Sequence, residues 1–128
     1  MEIAKAESKH FEGLVALEEG KFARADELGY RSMLLAAYAL VRTRFLALQD
    51  EPNKIVEEFR RTFYDTKLFF DQYAGGKFAN YLFDRHDNPP QNADADAAQH
   101  TLDEAQLFIE ACHSAEARVN GSIIGLNG

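Results

Sequence analysis

Apolar residues recur along this chain every three or four positions, the spacing of one face of a helix. In 2–18 the stripe is Ile3, Ala6, His10, Leu14 and Leu17, which predicts a first helix there. Gly20 follows as a C-cap or short turn, and Glu18 and Glu19 close the helix with the wrong sign for its dipole. A longer pattern predicts a second helix over 22–48, with an inner stripe of Phe22, Ala25, Leu28, Ser32, Leu35, Ala36, Ala39, Leu40, Thr43 and Leu46. The small residues Ala25, Gly29, Ser32, Ala36 and Ala39 on it would let another helix approach closely.

Asp50-Glu51-Pro52 reads as a helix start, with a carboxylate cap and a proline in the first turn. The third helix should bury Ile55, Val56, Phe59 and Phe63. From Phe63 to Tyr81 aromatic residues crowd together and Gly75-Gly76 interrupts them, so a short helix is expected on each side, the second starting near Lys77. The stretch 87–92, which includes Pro89-Pro90, is a loop by composition. A last helix is expected over 94–120, with Ala98, Leu102, Ala105, Ile109, Cys112 and Glu116 on its stripe and Phe108 and Val119 beside it. Gly121 would cap it and 121–128 would form a tail. No sustained strand alternation appears, so the expected fold is all-α: a single helical bundle over 1–128, with two or three long helices and several short ones.

Composition narrows the function classes. The chain has 128 residues, enough for one domain to bury about two-thirds of its unfolded surface. Ten Phe and five Tyr rule out a disordered chain. The 14 Lys and Arg against 21 Asp and Glu leave a formal charge of −7, which argues against a mainly electrostatic grip on nucleic acid. The lone Cys112 allows neither an internal disulfide nor a zinc ribbon. No apolar run has the ~20 residues of a membrane span. Residues 1–5 lack a basic segment followed by an apolar one, so no secretory signal is expected and a reducing cytoplasm is the expected compartment.

Candidate chemistry is sparse. Two Glu-x-x-His tetrads, Glu7 with His10 and Glu110 with His113, sit on the first and last long helices. In di-iron or di-manganese bundles such tetrads join further glutamates, and Glu57 or Glu58 could supply one from the third helix. Against this, Glu110 falls well off the Leu102/Ile109 stripe, and His10 can be a residue of the core edge. His100 and Glu104, four apart, suit a surface pair better than a metal clamp. Cys112 and His113 point about 100° apart, too far to make a thiolate–imidazole pair, and Cys112 reads as a buried thiol. Ala74-Gly75-Gly76-Lys77 lacks phosphate-loop spacing, although a diglycine before a helix can offer amides to an anion with Lys77 nearby. Arg42, Arg44, Arg60 and Arg61 read as solvated faces, and Arg85-His86 is uninformative alone. No catalytic residue and no cofactor are expected.

Phe22-Ala23-Arg24-Ala25 followed by Tyr30-Arg31-Ser32-Met33-Leu34-Leu35-Ala36-Ala37-Tyr38-Ala39-Leu40 resembles the HEPN superfamily of helical bundles. Three further stretches, 58–71, Tyr73-Ala74-Gly75-Gly76-Lys77-Phe78-Ala79 and 104–111, are similar to the helical domain at the C-terminus of some bacterial nitrite/sulfite reductases. Toxin-type HEPN proteins cleave RNA with an Arg-x(4–6)-His motif, and no arginine precedes His10, His86, His100 or His113 at that spacing. The resemblance therefore implies the fold without the ribonuclease activity. The chain also lacks the four thiolates that typically hold an iron–sulfur cluster, so it cannot be the reductase's catalytic unit.

These readings lead to one functional expectation. The chain is a non-catalytic interaction or accessory domain associated with a nitrite/sulfite reductase, with a sirohaem reductase as the implied partner. HEPN-like bundles commonly pair, so a homodimer is expected, with the small-residue stripe of the second helix as a contact. The alternatives are a nucleic-acid-acting protein without the usual motif and a di-metal carboxylate enzyme. The expected contact segment is 65–85, where Phe69, Phe70, Tyr73, Phe78, Tyr81 and Phe83 crowd together. Some of these rings should stay near the surface as anchors, unless all of them complete the core. Within the segment Phe70 and Tyr73 are the anchors singled out. Gly75 and Gly76 would set the angle between flanking helices, while Asp65, Lys77 and Arg85 would orient a partner or small anion.

Overall fold

The computed structural model describes residues 1–127, with side chains to residue 119. Five α-helices follow in order: α1 (Ala4–Glu18), α2 (Phe22–Arg42), α3 (Pro52–Phe59), α4 (Lys77–Asp87) and α5 (Ala95–Asn127). A single π-helical turn, Arg60–Tyr64, extends α3. No strand occurs among the described residues, so the fold is the all-α bundle that the stripes predict. None of the helices described is long and apolar enough to cross a membrane.

Each helix end has a local cause. α1 closes in a Schellman arrangement: the Lys21 amide donates to the Ala16 carbonyl at 2.9 Å and the Gly20 amide to the Leu17 carbonyl at 3.1 Å. The required left-handed conformation falls on Gly20, at φ 76°. α5 starts at Asp94, whose Oδ1 accepts the Ala97 amide at 2.8 Å. α5 then continues through Gly121 to Asn127, past the cap expected at Gly121; of the expected tail only residue 128 lies outside the described residues.

Three expectations need correction. The second helix stops at Arg42, not Leu48. Thr43 turns its hydroxyl back onto the Leu40 carbonyl at 2.7 Å, and the Arg44 and Phe45 amides both converge on the Val41 carbonyl. The chain then folds over so that Leu48 is buried while Leu46, placed on the inner stripe, is 76% exposed. α3 begins at Pro52 as expected, but no side chain caps it; the Glu51 carbonyl takes the Ile55 amide and the acidic groups face solvent. Finally, no α-helix lies between Phe63 and the diglycine. The Asp65 amide bonds five residues back to the Arg60 carbonyl, Lys67 adopts φ 63°, and the Phe69 amide returns to the Phe63 carbonyl at 2.9 Å. These bonds break the helical ladder and tip Phe69 into the core.

The main core is aromatic. Phe59 lies 4.9 Å from Phe69 and 5.5 Å from Phe108, centroid to centroid, with Phe63 and Phe83 completing the group. Met33, Leu40 and Leu82 enclose it. α2 is the spine, and its small residues are spent inside this chain. A methyl group on Gly29 would stand 2.9 Å from Thr101 Cγ2 and 3.3 Å from Leu102 Cδ2, so α2 and α5 cross where only glycine fits. Ala25, Ser32 and Ala36 are likewise buried, which takes away the stripe proposed as a contact between copies.

Candidate functional site

The polar residues of the bundle form two arrangements of opposite kind. The first is interior and links α2, α4 and α5. Asp26 is buried on α2 and meets Arg85 of α4 side-on: Nη2 lies 2.8 Å from Oδ2, and Nε reaches both carboxylate oxygens at 3.2 and 3.4 Å. Thr101 of α5 donates its hydroxyl to Asp26 Oδ1 at 2.5 Å. Arg85 also reaches Glu27 at 3.4 Å, and its guanidinium lies 4.5 Å from the centre of the Tyr30 ring. Tyr30 Oη and His86 Nδ1 share a hydrogen bond of 2.6 Å, and burial raises the Tyr30 phenol above its ordinary value despite the opposing pull of Arg85. Among the described residues no buried side-chain nitrogen or oxygen lacks a partner. Arg85 therefore does not face a partner, as expected of it; its charge is consumed inside the bundle, where it pins α4 to α2.

The second arrangement is a loop on the surface. Asp71 and Gly75 exchange their backbone hydrogen bonds at 2.8 and 2.9 Å, closing a five-residue loop. Asp71 Oδ1 accepts the amides of Ala74 and Tyr73, each at 2.8 Å. These bonds, Ala74's foremost, hold the Asp71 carboxyl below its ordinary pKa, with Arg118 helping. The Lys77 amide goes to the Ala74 carbonyl at 3.2 Å. Of the diglycine, the Gly75 amide is thus taken up by the Asp71 carbonyl.

Glycine is required twice here. Gly75 has φ 62° and lies against the Phe70 ring, and a methyl group on Gly76 would stand 2.9 Å from the Tyr64 ring. The loop is thereby seated on Tyr64, which packs edge-on against Phe83 at 5.1 Å. The six aromatic residues of the segment divide. Phe69 and Phe83 are core, Phe78 and Tyr81 are half-buried against each other, Phe70 is 47% exposed and Tyr73 is 90% exposed. Lys67 Nζ sits 5.9 Å over the Phe70 ring, and Arg118 donates to the Leu68 carbonyl at 3.2 Å. Asp65 is exposed at the end of the π-helical turn and Lys77 is exposed in the first turn of α4.

Comparisons with protein-family models, with curated proteins and with solved structures gave no match.

The Glu-x-x-His tetrads do meet in space. Glu7, His10, Glu110 and His113 line one cleft of about 350 Å³ between α1 and α5, with Leu14, Gln106 and Ile109. They do not converge on a point: His10 Nε2 is hydrogen-bonded to the Leu102 carbonyl at 2.9 Å, and Glu110 is exposed. Among the described residues no three His, Cys, Asp or Glu side chains are placed to hold a metal ion. Glu57 and Glu58 instead pair with Arg61 at 3.1 and 3.2 Å. His100 and Glu104 form the surface contact expected of them, at 3.3 Å; partial burial raises Glu104, with His100 opposing. Cys112 is fully enclosed and its thiol is pushed well above its ordinary pKa by that burial, which leaves it unreactive.

Of the residues singled out in the sequence, the structure gathers Phe70, Tyr73, Gly75, Gly76 and Lys77 at one loop and sends Arg85 elsewhere. Sequence reasoning missed Asp26, Tyr30, Thr101 and His86. One signal was present: Asp26 lies three and seven residues before Gly29 and Met33, on the inner face of α2, where a carboxylate needs a partner. It also passed over Lys67 and Arg118, which only the fold brings near the loop.

Proposed function

We propose that this chain is a non-catalytic interaction domain whose contact surface is the Phe70–Tyr73 loop. The observation that carries the reading is Tyr73, 90% exposed at the tip of a loop whose own backbone is tied down by Asp71 and Gly75. A bulky amphipathic ring held on an ordered loop contacts a partner at little entropic cost. The polar interior points the same way, because its charges are paired with one another and hold helices together.

We assign the partner to a cytoplasmic nitrite/sulfite reductase of the sirohaem type. The support is the resemblance of 58–71, 73–79 and 104–111 to the helical extension of such enzymes. Core packing accounts for Phe59, Phe63, Phe69 and Phe108 within those stretches, but not for Tyr73. A homodimer belongs to the same proposal. With the α2 stripe used internally, its seam falls on α1, where Phe11, Leu14 and Val15 are exposed; light scattering at micromolar concentration should give twice the chain mass.

Calorimetric titration of a purified sirohaem nitrite or sulfite reductase tests the partner. Saturable binding is expected, weakened at least tenfold or so by Tyr73→Ala, as for an aromatic hot spot. Absence of binding, or equal affinity of the variant, would sink the reading.

A further inference from the structure

We draw no further inference here: the strongest candidate, the cleft of about 400 Å³ between the start of α1 and the end of α2, is lined by Lys5 and Arg42 as well as by Glu2 and Asp50, a balance that selects no ligand class, and nothing in the structure shows what covers it.

Discussion

Asp26 and Asp71 are both carboxylates that accept hydrogen bonds from the chain itself, yet they act over different distances. Asp26 gathers Arg85, 59 positions away, and Thr101, 75 positions away, so it holds α4 and α5 against α2. Asp71 gathers amides two and three residues ahead and shapes only its own loop. The first arrangement closes on itself: its charges are desolvated, paired and hidden. The second ties down a backbone and leaves Tyr73 and about half of Phe70 in solvent. An arginine in a helix and a tyrosine in a loop look equally available in a sequence; what separates them here is whether a buried partner waits across the fold.

If that contrast holds, the two regions break very differently. Asp26→Ala leaves the nearly buried Arg85 with only its longer contact to exposed Glu27 and should cost about 3 kcal/mol, read from urea denaturation. A loss below about 1 kcal/mol would mean that Arg85 finds water and that the network is not a clamp. Thr101→Val keeps the shape but removes one bond to a buried carboxylate. The expected loss is about 1.5–3 kcal/mol in the same measurement.

How much of this was legible depends on how regular the backbone is. α1, the start of α4 and the start of α5 follow from Gly20, Gly76 and Asp94, residues whose local chemistry stops or starts a helix. α2 outran its true end because Ala39, Leu40, Thr43 and Leu46 keep helical spacing beyond Arg42, and spacing does not register a hydroxyl turning back onto a carbonyl. The stretch 60–76 was illegible for a different reason. A π-helical turn and a left-handed Lys67 have no hydrophobic period, so Phe69 and Phe70, adjacent and chemically identical, could not be told apart, although one is core and the other half exposed. The loop residues were found because aromatic density and a diglycine are visible in one dimension. The Asp26 network was not, because its members lie far apart in the chain and α5 carries its contribution as an ordinary threonine.

Smaller effects sharpen the loop half of the comparison. Gly76→Ala drives a methyl group into the Tyr64 ring and should cost about 1–3 kcal/mol, less if Tyr64→Ala is made with it. The Asp71 carboxyl has its pKa lowered in the folded state, so the loop's stabilisation is present above the ordinary carboxylate range and is lost as pH falls through the depressed value. In an acid titration by NMR, the amides of Tyr73 and Ala74 should shift together with a midpoint below 3.8, while those of α2 stay fixed until global unfolding. A midpoint at or above 3.8 would show that Asp71 does not hold the loop.

The most direct test of the central claim maps the contact itself. The isotope-labelled chain is titrated with unlabelled sirohaem reductase, and amide shifts are followed residue by residue. The account predicts perturbations concentrated at 67–78 and at 107–118 of α5, with Asp26, Tyr30 and Thr101 unmoved. Perturbations centred on Glu7, His10, Phe11 and Leu14, or no perturbation at saturating reductase, would contradict it.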